Sequence, residues 1–182
     1  MIRTLVFGAG RMGRRVLATM AEFKNYELAG LVSRTQPDEV AAAGWHASLE
    51  ELQTSADLLI DFTLPGGTRT AAEWCSSNGV ALLSGTTGLT DEDIRALKNA
   101  ALKVPVLWAP NLSYGIALMA ALVRQVTEAM GESANITITD IHHRHKLDAP
   151  SGTALALATA VMEGRPEHLQ DLQEAGRAEN YP

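Results

Sequence analysis

Hydrophobic residues in the first part of the chain fall into short apolar runs separated by longer amphipathic stretches. Runs of this length, bounded by polar residues and glycines, are typical of strands buried in a sheet. After the first run, Met12, Val16, Leu17, Met20 and Phe23 recur at helical spacing. Strands that alternate with helices indicate a doubly wound α/β fold, a parallel sheet with helices on both faces. The five predicted strands cover residues 2–7, 26–32, 57–62, 80–84 and 104–109.

Polar residues mark where several of the predicted helices begin. A Ser or Thr followed three residues later by an acidic residue is the capping-box pattern, in which two side chains satisfy free N–H groups at a helix start. The helix that begins at Thr90 with Asp93 is predicted to run to about Leu102, and a helix for which Thr68 alone is the predicted cap should end before Gly79. The predicted helix starts are Ser48 with Glu51, Thr68, and Thr90 with Asp93.

The hydrophobic pattern changes after Asn111, where a long helix with one apolar face is predicted. Gly131 is placed to end this helix. Residues 135–141 then alternate strictly between apolar and polar, as a half-buried strand does. The tail from Gly164 is polar, and we expect loop, frayed helix or disorder there. The apolar helix face consists of Leu118, Met119, Leu122, Val123, Val126 and Met130.

This change of pattern predicts two domains with a boundary near Ser113. Residues 1–113 would form the doubly wound α/β domain. Residues 114–182 would form a second, α+β domain.

Composition excludes several classes of protein. The chain has 182 residues, a net charge of −6, 46% hydrophobic residues and 20% charged residues. These values are ordinary for a globular protein, and the acidic balance argues against nucleic acid as a partner. Cys75 is the only cysteine, so a disulfide framework is excluded. No signal peptide or membrane-spanning run is recognisable, and we expect a cytoplasmic protein.

Gly8, Gly10 and Gly13 have the spacing G-x-G-x-x-G directly after the first predicted strand and at the start of the first helix. In that context the spacing indicates a dinucleotide site. Gly8 permits the tight turn, Gly10 lets a pyrophosphate approach the backbone, and Gly13 allows close packing of helix on strand. The alternative is a glycine turn without a ligand.

Ser33 and Arg34 follow the second strand, where an NAD site usually places a carboxylate for the ribose 2′-hydroxyl. An arginine suits a 2′-phosphate instead, so NADPH should bind at least as well as NADH. Arg34 as an ordinary surface residue is the alternative. Two further loops, residues 84–88 and 109–113, follow strands four and five and supply backbone donors near the expected nicotinamide. Structural turns explain either loop equally well.

Residues 142–146 concentrate three histidines, an arginine and a lysine, and Ser151, Gly152 and Thr153 then begin a helix. One interpretation is a metal site, although no cysteine partner or H-E-x-x-H frame accompanies the histidines. A second is a solvated charged loop. A third is a site for a small dicarboxylate, with side-chain cations at one end and helix N-terminal amides at the other. Combined with a nicotinamide site, the third predicts a reductase that uses histidine or lysine to protonate the reduced substrate.

Five segments resemble the dihydrodipicolinate reductase (4-hydroxy-tetrahydrodipicolinate reductase) family of diaminopimelate and lysine biosynthesis. They run in the family's order over roughly residues 1–160, and the last is long and unusual. The resemblance implies that residues 1–113 form a dinucleotide-binding Rossmann domain and that residues 114–182 belong to a substrate-binding domain with an open mixed sheet, which mediates assembly into a homotetramer. It also implies NADPH or NADH as cofactor and reduction of 4-hydroxy-tetrahydrodipicolinate to tetrahydrodipicolinate. The segments are GAGRMGR, DFTLPGGT, SGTTGL, APNLSYG and HHRHKLDAPSGTA.

The resemblance also implies roles for particular residues. His142 would be the proton donor and acceptor, and Lys146 the proton donor to the reduced substrate. No metal is expected. The substrate carboxylates would be bound by His143, Ser151, Gly152 and Thr153. The cofactor would be lined by Gly8, Ala9, Gly10, Arg11, Met12, Gly13, Ser33, Arg34, Gly85, Thr86, Thr87, Ala109, Pro110, Asn111 and Leu112.

The chain departs from the family pattern in three respects. Its glycine loop is the shorter G-x-G-x-x-G rather than G-x-x-G-x-x-G, and Ser33 stands where an acidic residue is common. The second domain is expected to be incomplete, because family members continue with further strands and a final helix. Two rival hypotheses therefore stay open: a reductase of another imino or keto acid, and a nucleotide-binding remnant or sensor without turnover.

Overall fold

The computed structural model describes residues 1–37, 44–52, 55–142 and 150–165. It divides into two compact units, Met1–Pro110 and Asn111–Pro182. Within the described residues, no helix combines the length and the apolar character that crossing a membrane requires.

The first unit contains one parallel sheet. Its strand order is β3-β2-β1-β4-β5-β6, and every neighbouring pair runs parallel. From β1 the chain adds β2 and β3 on one side of the sheet, and then returns to add β4, β5 and β6 on the other side of β1. The point where the order reverses, between β1 and β4, is where open α/β sheets bind ligands, and the Rossmann-type α/β prediction is confirmed. The strands are β1 (Ile2–Phe7), β2 (Tyr26–Val32), β3 (Trp45–His46), β4 (Leu58–Asp61), β5 (Ala81–Ser84) and β6 (Val106–Trp108).

The sheet has one strand more than predicted. β3 pairs only Trp45 and His46 with the end of β2, which is too short to leave a hydrophobic period in the sequence. The capping box predicted at Ser48 is wrong: Leu49–Glu51 is a single 3₁₀ turn, and the Ser48 side chain makes no capping hydrogen bond. The Glu51 carboxylate accepts instead from the Ala47 N–H, at 3.0 Å.

In the described part of the first unit, three α-helices accompany the sheet: α1 (Arg11–Met20), α2 (Gly67–Asn78) and α3 (Asp91–Ala101). The capping box at α3 is confirmed, because the Thr90 hydroxyl accepts from the Asp93 N–H while the Asp93 carboxylate accepts from the Thr90 N–H. The predicted cap at Thr68 is wrong. Gly66 precedes α2, and Thr68 lies inside the helix, where burial turns its hydroxyl towards a carboxylate. Gly79 ends α2 in the left-handed conformation, with φ of 70°.

The core of the first unit lies between the sheet and its helices. Alternate residues of the central strands point into it, as Leu5, Leu59 and Leu82 do. Small residues on α2 let that helix approach the sheet closely, and Cys75 is one of them, fully buried as predicted. The buried cluster comprises Leu5, Val32, Leu49, Leu59, Ala71, Ala72, Cys75, Val80, Leu82, Leu97, Ala100 and Val104.

The second unit is built around two helices, α4 (Tyr114–Met130) and α5 (Gly152–Gly164), which pack against each other. A Cβ on Gly164 would lie 2.7 Å from the Arg124 carbonyl oxygen, so the helices approach to backbone distance there. Gly131 ends α4 as predicted. The strand predicted over residues 135–141 is wrong, because the segment has no regular secondary structure. Alternation alone does not make a strand, which needs a hydrogen-bonded neighbour.

Candidate functional site

The glycine loop after β1 is held in a conformation that requires glycine at two positions. Gly8 has φ of +102°, and a Cβ there would lie 2.6 Å from the Phe62 carbonyl oxygen. A Cβ on Gly13 would lie 1.8 Å from the Gly8 carbonyl oxygen. The Gly8 N–H donates to the Val32 carbonyl at 2.9 Å, which ties the loop to the end of β2. The loop therefore sits against the carboxyl ends of β2 and β4.

Gly10 differs from its two neighbours, because a Cβ there would meet nothing within 4 Å. It is the N-cap residue of α1 and has no side chain with which to cap the first N–H groups of the helix. Open space in front of a helix N-terminus, with Arg11 and Met12 exposed in its first turn, fits the pyrophosphate of a dinucleotide. Helix-dipole attraction and free N–H groups both favour an anion there.

The two residues predicted at the ribose end have different surroundings. Ser33 is 8% exposed, and its hydroxyl donates to the Thr35 carbonyl while accepting from Trp45 Nε1. Arg34 is exposed. The serine hydroxyl is thus engaged within the fold, whereas the guanidinium faces solvent beside the end of β2.

Asp61, the last residue of β4, organises the loops that follow β4 and β5. It is fully buried and accepts hydrogen bonds from four side chains and one backbone amide. Oδ1 accepts from the Thr63 N–H at 2.9 Å and its hydroxyl at 2.6 Å. Oδ2 accepts from the hydroxyls of Thr68, Ser84 and Thr86, at 2.7, 2.7 and 3.2 Å. A single carboxylate thereby fixes the loops beside the switch point of the sheet.

Phe62 packs into the loop after β5. A Cβ on Gly85 would lie 2.1 Å from the Phe62 ring, so no other residue fits there without moving it. The Thr86 carbonyl accepts from Trp108 Nε1 at 3.0 Å, and the Ala109 N–H donates to the Ser84 carbonyl at 3.0 Å. The structure thus brings the loops after β1, β4, β5 and β6 to one edge of the sheet. From the predicted set this edge carries Gly8, Ala9, Gly10, Arg11, Met12, Gly13, Gly85, Thr86, Thr87, Ala109 and Pro110.

In the second unit three of the predicted substrate residues, Ser151, Gly152 and Thr153, form the N-terminus of α5. Ser151 is its N-cap, and the Ser151 hydroxyl accepts from the Ala154 N–H at 3.1 Å. Asn111 Nδ2 donates to the Thr153 hydroxyl at 3.1 Å, while Asn111 Oδ1 accepts from the Ser113 N–H at 2.9 Å. Asn111, predicted to contact the cofactor, is therefore hydrogen-bonded to a residue predicted to bind substrate. Leu112 is exposed beside it.

Asp140 joins His142 to the start of α5. Its carboxylate accepts from the Ser151 N–H at 2.9 Å and the Ser151 hydroxyl at 3.0 Å, and His142 Nε2 lies 2.6 Å from Oδ1. The Ser151 N–H is the largest cause holding the pKa of the Asp140 carboxyl below its usual value, and the Ser151 hydroxyl and His142 act in the same direction against burial. The His142 side chain is 39% exposed.

Two of the predicted residues, His143 and Lys146, lie outside the described residues. Among the described residues, no group of three His, Cys, Asp or Glu side chains is arranged to hold a metal ion. Sequence reasoning assigned no role to Asp61 or Asp140. The available indication was position: one aspartate ends a buried strand beside the glycine loop, and the other precedes His142 by two residues.

The strand order and the glycine loop define a Rossmann-fold protein with the features of a dinucleotide site. Two family models match the chain in succession: dihydrodipicolinate reductase, N-terminus, over residues 2–112, and dihydrodipicolinate reductase, C-terminus, over residues 115–180. The chain belongs to the dihydrodipicolinate reductase family, and the resemblance inferred from the motifs is confirmed.

Individual relatives agree with the family models. The chain is 40% identical to a 4-hydroxy-tetrahydrodipicolinate reductase of Alkalilimnicola ehrlichii, over 95% of this chain and 69% of that protein. It is 38% identical to one of Zymomonas mobilis, over 95% of this chain and 66% of that protein. A dipicolinate-bound dihydrodipicolinate reductase from Paenisporosarcina sp. TG-14 matches with a TM-score of 0.68 and 27% identity, over 100% of this chain and 71% of that one. The chain thus spans about two thirds of the length of its curated relatives.

Proposed function

We propose that the chain carries the nucleotide-binding and substrate-binding parts of a 4-hydroxy-tetrahydrodipicolinate reductase. The reaction is the NADPH- or NADH-dependent reduction of 4-hydroxy-tetrahydrodipicolinate (dihydrodipicolinate) to tetrahydrodipicolinate. The observation that carries the proposal is the match to the dipicolinate-bound reductase over 100% of this chain, which includes the residues around His142 and α5. A glycine loop alone is common to many oxidoreductases and supports only the cofactor.

The first unit would hold the cofactor, which supplies the hydride when bound. The N–H groups at the start of α1 and the open space at Gly10 receive the pyrophosphate. Asp61 would keep the loops after β4 and β5 in place through its hydrogen bonds to Thr63 and Thr86. Arg34 is the group that would pair with a 2′-phosphate. Its replacement by alanine should raise the Kd of NADPH more than that of NADH, as measured by calorimetry, and an equal change for both would exclude this role.

The second unit would hold the dicarboxylate. Gly152 and Thr153 offer N–H groups at the start of α5, where the helix dipole favours a negative charge. The Thr153 hydroxyl accepts from Asn111, so its own hydrogen is left for a substrate carboxylate. His143 would bind a carboxylate, and His142 and Lys146 would protonate the substrate after hydride transfer.

The organisation of the chain follows from the same proposal. Residues 1–113 would be the nucleotide domain and residues 114–182 the substrate domain. A homotetramer is the assembly that the family resemblance implies. A cytoplasmic location, without nucleic acid or membrane as partner, is proposed with it.

A coupled assay tests the activity. The precursor is generated in place, and oxidation of the reduced nicotinamide is followed by its absorbance. His142→Gln and Lys146→Ala should each lower kcat by roughly a hundredfold or more, because a general acid contributes about that much. Cofactor affinity should not change in either variant.

Other outcomes have definite meanings. If both variants remain as active as the parent chain, the assigned roles are wrong. Binding of NADPH without its oxidation would favour a sensor. Turnover only of another imino or keto acid in a substrate panel would favour a different reductase.

A further inference from the structure

Asp140 is the residue that connects the proposed proton donor to the proposed carboxylate site. Residues 135–141 form no strand, so ladder hydrogen bonds do not hold this segment in place. Two hydrogen bonds from Ser151 to the Asp140 carboxylate, at 2.9 and 3.0 Å, attach it to the start of α5. The same carboxylate meets His142 Nε2 at 2.6 Å. The orientation of the His142 ring and the position of the α5 N-terminus therefore depend on one side chain.

The protonation of the two partners follows from this geometry. The pKa of the Asp140 carboxyl is lowered by the Ser151 N–H, then by the Ser151 hydroxyl and His142, against burial, so the group is a carboxylate near neutral pH. An ionised carboxylate only accepts hydrogen bonds. His142 Nε2 must then carry a hydrogen, and in the neutral ring the lone pair is on Nδ1. The His142 side chain is 39% exposed, so a ligand can approach the ring.

We infer that Asp140 is a positioning residue that holds His142 through Nε2, and that Nδ1 of His142 is the atom that transfers the proton. This rests on the proposed function. The Nδ1–H bond of the imidazolium breaks, and its electron pair stays on Nδ1. The proton bonds to the substrate atom that gained an electron pair from hydride transfer. The ring is left neutral with its Nε2–H still donated to Asp140, and a proton from solvent restores the imidazolium.

A purely structural role for Asp140 makes different predictions. A carboxylate near a helix N-terminus stabilises the helix through its dipole whatever stands at position 142. In that case the Asp140→Asn change would lower kcat by the same factor with or without His142. If Asp140 acts through His142, its replacement should change kcat little once His142 has been replaced, because the effects of substituting residues that act as a unit do not add.

The first experiment is a double-mutant cycle in the coupled assay, with Asp140→Asn, His142→Gln and the double variant. We expect Asp140→Asn alone to lower kcat by about tenfold or more, and by less than about twofold in the His142→Gln background. The KM for the nucleotide should stay constant. Asp140→Glu should recover part of the rate, and Asp57→Asn, a surface acid paired with Arg3, serves as the matched control with unchanged kcat. The inference would be overturned if Asp140→Asn lowers kcat by the same factor in the parent chain and in His142→Gln, or if it does not lower kcat at all.

The second experiment does not depend on turnover, so it separates this inference from the proposed function. In the full chain with ¹⁵N-labelled histidine, the His142 resonances are assigned by their loss in His142→Gln. At a pH where the ring is neutral, hydrogen should be on Nε2 and absent from Nδ1. Asp140→Ala should speed exchange of the Nε2–H with solvent. A hydrogen on Nδ1, or an Nε2–H that exchanges equally fast in both proteins, would refute the arrangement even if the enzyme is active. If the parent chain has no activity while the NMR result is as expected, the proposed reaction fails and the arrangement stands.

Discussion

Gly10 and Gly13 offer a matched test of the glycine loop, because the structure gives the two glycines different roles. A side chain at Gly13 would clash with the backbone, whereas Gly10 leaves open space for a ligand. A Cβ on Gly13 would lie 1.8 Å from the Gly8 carbonyl oxygen, so in Gly13→Ala the carbonyl must withdraw until this distance is at least 3.0 Å. Overpacking of this kind costs about 1–3 kcal/mol. A chain of this length loses about 2–4 °C of melting temperature per kcal/mol. The Gly13→Ala protein should therefore melt several degrees lower.

Gly10→Ala should affect binding rather than folding. Its Cβ meets no protein atom within 4 Å, and φ of −71° suits alanine. Alanine is a poorer N-cap than glycine by less than about 1 kcal/mol. Alanine also restricts the unfolded chain more than glycine does, which favours the folded state by about 0.4–1 kcal/mol and offsets the loss. The melting temperature should stay within about 4 °C of the parent value. The new methyl group would occupy the space proposed for the pyrophosphate, so nucleotide affinity should fall by about tenfold or more, which is about 1.4 kcal/mol.

Differential scanning fluorimetry gives the melting temperatures, and isothermal titration calorimetry gives Kd for NADPH and NADH. Gly66→Ala is not a suitable control, because φ there is +86° and the substitution is strained without any clash. Undiminished nucleotide binding by Gly10→Ala would show that the loop does not hold the phosphates. A larger loss of stability in Gly10→Ala than in Gly13→Ala would contradict the geometry of the loop itself.

Three further predictions concern other parts of the chain. Burial raises the pKa of the Cys75 thiol to about 12, so a thiol reagent at neutral pH should modify it only after denaturation; rapid native labelling would contradict its burial. Gly164→Ala should lower the melting temperature, because its Cβ would meet the backbone of α4. A Cβ on Gly115 would make only an ordinary contact at 3.8 Å, so Gly115→Ala should raise the melting temperature, through a gain of up to about 1 kcal/mol in the free energy of unfolding. Equal changes of melting temperature in the two variants would refute the close helix packing. Burial, the largest single influence on the pKa of Asp93, raises it, but hydrogen bonds from Thr90 and Gly66 outweigh this and the pKa is lowered. The ionised Asp93 carboxylate therefore stabilises the fold at pH values above the ordinary carboxyl pKa, and this stabilisation is lost as the pH falls through the lower pKa of the folded state. Asp93→Asn should lower the free energy of unfolding at neutral pH, and the melting temperature of the variant should fall less steeply towards acid pH than that of the parent. An equally steep fall in both proteins would contradict this.

The first unit was largely predictable because its elements depend on local patterns. β1 and β2 have the bounds that the apolar runs predicted, and the α3 capping box needs only residues three apart. Features that depend on distant contacts were not predictable in this way. β3 exists because two residues pair with the end of β2, and the Thr68 hydroxyl turns to Asp61 because both are buried.

The site shows the same division between local and distant information. The glycine spacing predicted the dinucleotide loop, since Gly8 and Gly13 stand where a Cβ would clash with backbone atoms and Gly10 leaves open space at the start of α1. The Asp61 network joins residues up to 25 positions apart, and one aspartate leaves no periodic trace in a sequence. Asn111 follows a strand and was therefore assigned to the cofactor, yet its amide is hydrogen-bonded to Thr153, 42 positions further along the chain.

Asp140 should also impose a trade-off between substrate binding and proton transfer. Its carboxylate occupies the Ser151 N–H and hydroxyl, while the proposed substrate carboxylate takes the N–H groups of Gly152 and Thr153, so two anions share one helix N-terminus. At a separation of about 6 Å and an effective dielectric constant of about 40–80, two such charges repel by about 0.7–1.4 kcal/mol. Asp140→Asn removes this repulsion but keeps an oxygen that can accept from Ser151. Dipicolinate, used as a non-reacting probe in calorimetry, should therefore bind about three- to tenfold more tightly to Asp140→Asn even as kcat falls. If the variant binds dipicolinate more weakly, the main effect of Asp140 on the anion site is to hold the α5 N-terminus in place, and this effect is larger than the charge repulsion.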